Sequence, residues 1–229
     1  NWVPIVPTEK QAEFLARNER EVFYGGSAGG GKTSGILAAA LRYVDVPGYS
    51  ALLLRRNYKQ LELPGSWIPL SHEWLDRTGA EWNQGQHRWR FPSGATLTFG
   101  FVGQSDEDRR KYETAAFQFI GVDELTAWRE DDYRFLFSRL RRHTGMDVPI
   151  RMRSASNPGG RLGHEWVKRR FVTPETRADG AVFIPARLQD NPLYFHADGS
   201  PTEDGLKYLE SLAGLSGTRY QRLVLGMWV

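Results

Sequence analysis

The sequence predicts an α/β fold built on a mostly parallel sheet. Three observations carry that prediction. A short apolar strand, a glycine-rich loop and an Ala/Leu-rich helix follow one another over residues 21–43. Two further apolar runs, 50–56 (SALLLRR) and 117–124 (FQFIGVDE), each end abruptly in charged side chains. Runs of that kind suit buried parallel strands, whose C-terminal ends face the ligand in open α/β sheets.

At 229 residues the chain has room for one domain, or one domain with a small appendage. No run of about 18 apolar residues occurs, so no membrane helix is expected. The N-terminus (NWVPIVPTEK) lacks the basic and apolar regions of a signal peptide. With no cysteine, disulfides and zinc–thiolate sites are excluded, which fits a reducing compartment. Net charge is only +3, but of 30 basic residues 24 are Arg and six Lys. Arg suits phosphate recognition, although this net charge does not by itself point to nucleic acid.

Taken in order, residues 7–17 (PTEKQAEFLAR) read as a helix, with Thr8 as N-cap and Gln11 completing a capping box. Gln11 has a second reading, an adenine-binding glutamine upstream of a nucleotide loop. Glu21-Val22-Phe23-Tyr24 then reads as a strand and Ser34–Tyr43 as a helix. Between them, Gly26-Ser27-Ala28-Gly29-Gly30-Gly31-Lys32-Thr33 fits G-x-x-x-x-G-K-[ST], a phosphate-binding loop. Its glycines let backbone N–H groups, from Gly26 through Ser34, turn toward phosphates, and the helix N-terminus adds its own donors. Lys32 would reach the β- and γ-phosphates, and the Thr33 hydroxyl would ligate Mg²⁺.

The strand at 50–56 brings Arg55 and Arg56 to its C-terminal end, as phosphate or inter-subunit contacts or as a solvated strand end. Residues 57–78 read as loop and helix, with Trp67, Trp74 and Leu75 packed. Residues 81–100 alternate polar and apolar around Pro92-Ser93-Gly94 and read as a β-meander. Arg109-Arg110-Lys111 is either a solvated face or a contact for a phosphate backbone.

Phe117–Glu124 is an apolar strand ending in adjacent carboxylates. Asp123 is placed to hold Mg²⁺ and Glu124 to act as general base on water; the plainer reading makes them a helix cap. Glu directly after Asp favours an ATP-driven motor. Residues 128–142 read as one helix, acidic early and basic late, with Tyr133, Leu136, Phe137 and Leu140 on one face and Arg139 beside them as a candidate arginine finger. A strand at 149–155 runs into Ser156-Asn157-Pro158-Gly159, where Asn157 can sense a γ-phosphate or simply form a turn. Residues 163–171 read as a short basic helix and 181–185 as a last strand. Segments 202–213 and 216–227 read as helices, the first with Leu206, Tyr208, Leu209 and Leu212 on one face. The expected division is a core over 1–185 and a helical lid over 186–229.

Together these motifs resemble the ATPase (motor) domain of tailed-phage large terminase subunits. The resemblance rests on Gln11, Gly26–Thr33, Val122-Asp123-Glu124 and Ser154-Ala155-Ser156-Asn157-Pro158-Gly159. Asp190-Asn191-Pro192 and the terminal Leu225-Gly226-Met227-Trp228 add to it. It implies an ASCE-type sheet with Glu124 on the strand next to the phosphate-loop strand, and Mg²⁺-dependent ATP hydrolysis. It further implies a homo-oligomeric ring, a pentamer in the family, acting with double-stranded DNA, a procapsid portal and a small terminase subunit in the host cytoplasm. The family's nuclease has no counterpart here, so ATP hydrolysis without DNA cleavage is expected. The rival readings are a helicase-like remodeller, which normally needs a second motor domain; a P-loop kinase, which needs an acceptor site; and a non-hydrolysing scaffold.

Overall fold

The computed structural model describes residues 2–103 and 105–229. Among them eight strands form one sheet: β1 (Glu21–Gly26), β2 (Ser50–Arg55), β3 (Glu81–Asn83), β4 (Arg88–Arg90), β5 (Thr96–Phe101), β6 (Phe119–Val122), β7 (Arg151–Ser156) and β8 (Ala181–Ala186). Their order is β3-β4-β5-β2-β6-β7-β1-β8. The pairs β5–β2, β2–β6, β6–β7, β7–β1 and β1–β8 are parallel, and β3–β4 and β4–β5 antiparallel. The α/β prediction holds. β5 belongs to both parts, closing the meander and extending the parallel sheet beside β2.

The helices are α1 (Glu9–Ala16), α2 (Lys32–Leu41), α3 (Trp67–Leu75), α4 (Asp106–Arg110), α5 (Glu130–Phe137), α6 (His164–Val167), α7 (Glu203–Leu212) and α8 (Gly217–Leu223); a π-helical turn, Lys168–Val172, continues α6. α1 starts where the sequence says. Thr8 Oγ1 accepts from Gln11 N, and Gln11 Oε1 accepts from Thr8 N.

Strand pleating splits the core in two. Tyr24 and Leu53 face one side, with Ile36 of α2, Trp67 of α3 and Trp89 of β4. Phe23, Leu52 and Leu54 face the other, with Trp128, Tyr133, Phe171 and Trp228. The segment after β8 therefore does not leave the body. Its penultimate residue, Trp228, is buried edge-on against Phe23 and stacked on His164.

Four expectations change. First, Glu124 does not follow a strand next to β1: β7 stands between β6 and β1. Second, α5 ends at Phe137, because Arg139 and Leu140 leave the helix to pair with Phe117. Phe117 N donates to Arg139 O (3.0 Å) and Arg141 N to Phe117 O (3.0 Å). Leu140 is buried in the same core cluster as Tyr133 and Leu136, but from outside the helix. Third, Leu206 is about half exposed, and the one buried residue of α7 is Gly205, pressed on Tyr194 O. Fourth, α8 stops at Leu223, and Gly226 turns the chain back at φ +68°.

Candidate active site

Three parallel strands deliver their C-terminal ends to one cavity of about 380 Å³. β1 supplies Ala28–Ser34, β6 supplies Asp123 and Glu124, and β7 supplies Asn157; Gly65, Leu70 and Asn191 complete the lining. The strand between β6 and β1 is what puts Asn157 between the phosphate loop and the carboxylates.

The loop's shape follows from its glycines. Gly26, Gly29 and Gly31 have φ of +150°, +77° and +71°, conformations costly for residues with a Cβ. A Cβ on Gly26 would lie 1.9 Å from Ala186 O, and one on Gly31 2.7 Å from Gln11 Nε2. Gly26 and Ser27, expected among the phosphate-binding residues, are not in the cavity lining and sit against β8: Ser27 N donates to Ala186 O at 2.9 Å. Lys32 Nζ folds back onto Ser27 O at 2.5 Å. Burial pulls the Lys32 ammonium down to about 8, against the opposing pull of Asp123 and Glu124.

Gln11 is buried beside the loop. Its Nε2 donates to Gly31 O (2.8 Å) and Ser34 Oγ (2.9 Å), while its Oε1 caps α1. One amide thus joins the helix cap to the phosphate loop.

Asp123 is buried. Its Oδ1 accepts from Glu124 N (2.9 Å), and its Oδ2 accepts from Nε (3.0 Å) and Nη2 of Arg55. Glu124 has φ +52°, a left-handed conformation costing a non-glycine residue on the order of 1–2 kcal/mol. Strain of this kind gathers at functional sites. Burial first, then the Asp123 charge, raise its carboxyl above the usual range, against Arg55 and Lys32. Asn157 Oδ1 is buried without a hydrogen-bond partner, and the residue lines the cavity.

Thr33 and Asp123 offer hard oxygen donors to one cavity, the set that Mg²⁺ takes alongside phosphate oxygens and water. The residues present therefore fit a magnesium ion that arrives with a nucleotide.

Arg139 lies elsewhere. Its backbone pairs with Phe117, before β6, at the opposite end of the strand from Asp123. Its Nε donates to Ser138 Oγ (3.0 Å), and its guanidinium lies over Phe135. Of the two adjacent arginines, Arg55 reaches the cavity wall, whereas Arg56 pairs with Asp132 at 2.9 Å. Sequence reasoning missed two supports of the loop. Asn191 Nδ2 donates to Gly29 O at 2.6 Å, and Trp67 Nε1 to Thr33 O at 2.9 Å. Asp190-Asn191-Pro192 was a visible signal, but nothing in it tells that Asn191 reaches back to the loop.

Solved structures share this fold. The large terminase of a thermophilic bacteriophage, in complex with ADP, superposes with a TM-score of 0.73 at 18% identity, over 97% of this chain and 54% of that one. The same protein with ATP-gamma-S gives 0.67 at 18%, over 97% and 53%. The large terminase ATPase domain of Thermus phage P74-26 gives 0.62 at 16%, over 100% and 96%. At these identities the likeness is one of fold, and the chain spans about half the length of the terminase solved with the two nucleotides. No curated protein sequence matches it. The family model of the terminase large subunit, T4-like-virus type, N-terminal, matches residues 23–229. A phosphate loop, paired carboxylates and an intervening Asn-bearing strand thus sit inside a family match covering nearly the whole chain, and the chain belongs to the terminase large subunits as their N-terminal part.

Proposed function

We propose that this chain is a Mg²⁺-dependent ATP hydrolase that drives the translocation of double-stranded DNA into a viral procapsid. The observation that carries the reading is the convergence of Lys32, Thr33, Asp123, Glu124 and Asn157 on one cavity from three adjacent strands. The ADP and ATP-gamma-S complexes of the thermophilic-phage terminase support it.

Loop N–H groups and Lys32 hold the phosphates of ATP. Thr33 and Asp123 would hold a magnesium ion, whose charge would screen that of the phosphates. Glu124 accepts a proton from water as the water oxygen bonds to the γ-phosphorus, and ADP departs with the bridging oxygen. A raised carboxyl pKa makes Glu124 a stronger proton acceptor than an exposed glutamate. Asn157, whose Oδ1 is otherwise unpartnered, senses the γ-phosphate, and Gln11 ties the loop to α1 on the side given to the adenine. Arg139 acts in trans, on a neighbouring subunit of a ring, in the family a pentamer. The portal and a small terminase subunit are the assembly partners, in the host cytoplasm. Residues 186–229 act as the lid.

Phosphate release is the test. Release without any acceptor separates hydrolysis from kinase chemistry. Glu124→Gln should lower it at least about a hundredfold while ATP affinity stays near wild type. Turnover persisting in Glu124→Gln would take Glu124 out of the base role.

A further inference from the structure

Asp123 does not wait for its metal with free oxygens. Oδ2 takes two donors from Arg55, and Oδ1 takes the Glu124 N–H. The pair is enclosed, with the two side chains 13% and 4% exposed. A carboxylate has about four acceptor positions, so Oδ2 is saturated and Oδ1 half used. A cation approaching Asp123 also meets the guanidinium charge at close range.

We propose that Arg55 is a latch on the metal-binding carboxylate: in the metal-free chain its guanidinium holds Asp123 Oδ2, and the divalent cation arriving with the nucleotide takes its place. This rests on the reading of Asp123 and Thr33 as magnesium ligands.

Besides Asp123, the side chain has two anchors that would keep it beside the site once displaced. Arg55 Nη1 donates to Gln60 O at 2.9 Å, and the guanidinium lies 5.8 Å from the Trp67 ring centre. The same indole donates through Nε1 to Thr33 O. One line of contacts, Asp123–Arg55–Trp67–Thr33, therefore joins the two metal-ligand residues across the cavity wall. Arg56 cannot substitute, because Asp132 and the Trp128 face hold it on the other side. Arg55 is thus a positioning residue that sets how readily Asp123 accepts the metal.

The experiment is the Mn²⁺ affinity of the ADP-bound chain, read from loss of the free-Mn²⁺ paramagnetic resonance signal. It is made on wild type, Arg55→Gln and Arg55→Lys. Displacement of a close buried charge predicts Mn²⁺ binding about tenfold tighter in Arg55→Gln. Arg55→Lys, which keeps the charge and loses the fork, should fall between. Equal or weaker Mn²⁺ binding in Arg55→Gln overturns the latch and makes Arg55 a fixed strut. If Arg55→Gln does not fold, the unaltered chain answers. Its Arg55 Nε–H resonance, assigned with Arg55→Lys, should shift when Mg²⁺ is added to the ADP complex; a resonance that does not move overturns the proposal. Failure of wild type to bind ADP at all would instead bring down the nucleotide-site reading on which the latch depends.

Discussion

The hydroxyls of Thr126 and Ser156 share a hydrogen bond at 2.7 Å, and Thr126 N donates to Ser156 Oγ at 3.2 Å. Both residues are buried. This contact fastens the turn after Glu124 to the end of β7, so it holds the strained Glu124 backbone in register with Asn157. Ser156→Ala leaves the Thr126 N–H without that acceptor, and should lower stability by about 1–3 kcal/mol. It should also lower turnover more than ATP affinity. Urea unfolding and steady-state kinetics on one preparation check both.

Lys32 should make nucleotide affinity pH-dependent. Its ammonium titrates near 8 in the free chain, mainly because it is buried. Phosphates favour the charged form, so binding above that value takes up a proton. ADP affinity should fall as pH rises beyond about 8, by up to about tenfold per unit. For the nucleotide-free chain the sign is opposite. Between about 8 and the ordinary lysine value of 10.5 the unfolded chain holds more protons than the folded one, so this group adds stability as pH rises. Lys32→Met should remove both dependences in ADP titrations and urea unfolding at pH 7–10.

Gly226 presses on the phosphate loop from the C-terminal side. A Cβ there would lie 2.7 Å from Ser27 N, on a backbone with φ +68°. Gly226→Ala should cost about 1–3 kcal/mol and weaken ADP binding, because Ser27, whose carbonyl accepts from Lys32, must shift. Thermal unfolding and ADP titration give the two numbers; unchanged ADP affinity would disconnect the C-terminal segment from the loop.

Arg139 carries the inter-subunit prediction. A group that completes a neighbour's site in a head-to-tail ring lies away from its own cavity, and Arg139 does. Turnover per chain should rise with protein concentration in wild type and stay flat in Arg139→Ala. A constant specific activity, with Arg139→Ala harmless, would pass the role to another arginine.

What the sequence makes legible is local. The strand–loop–helix around Lys32, the Thr8–Gln11 box and the Asp123-Glu124 strand end can each be read within about a dozen residues, since strand pattern, glycine content and capping act at that range. Non-local pairing is what escapes. β7 enters between β6 and β1 because sheet order depends on which strands dock, and no single strand states its neighbours. The periodicity of Tyr133–Leu140 imitates a longer helix, yet backbone bonds to Phe117 end it at Phe137. The site's supports are likewise distant partners. Arg55 and Asp123 are 68 residues apart, and Asn191 and Gly29 162 apart.

The placement of β1 has a consequence for how the molecule is made. Both strands that flank it come late: β7 at Arg151–Ser156 and β8 at Ala181–Ala186. During synthesis the phosphate loop emerges early, but its strand has no partner until more than a hundred further residues have been made. Long-range pairing of this kind closes large loops and forms slowly. Nucleotide-binding competence should therefore appear near the end of refolding, after the β3–β5 meander, whose contacts are nearer in sequence, has already formed.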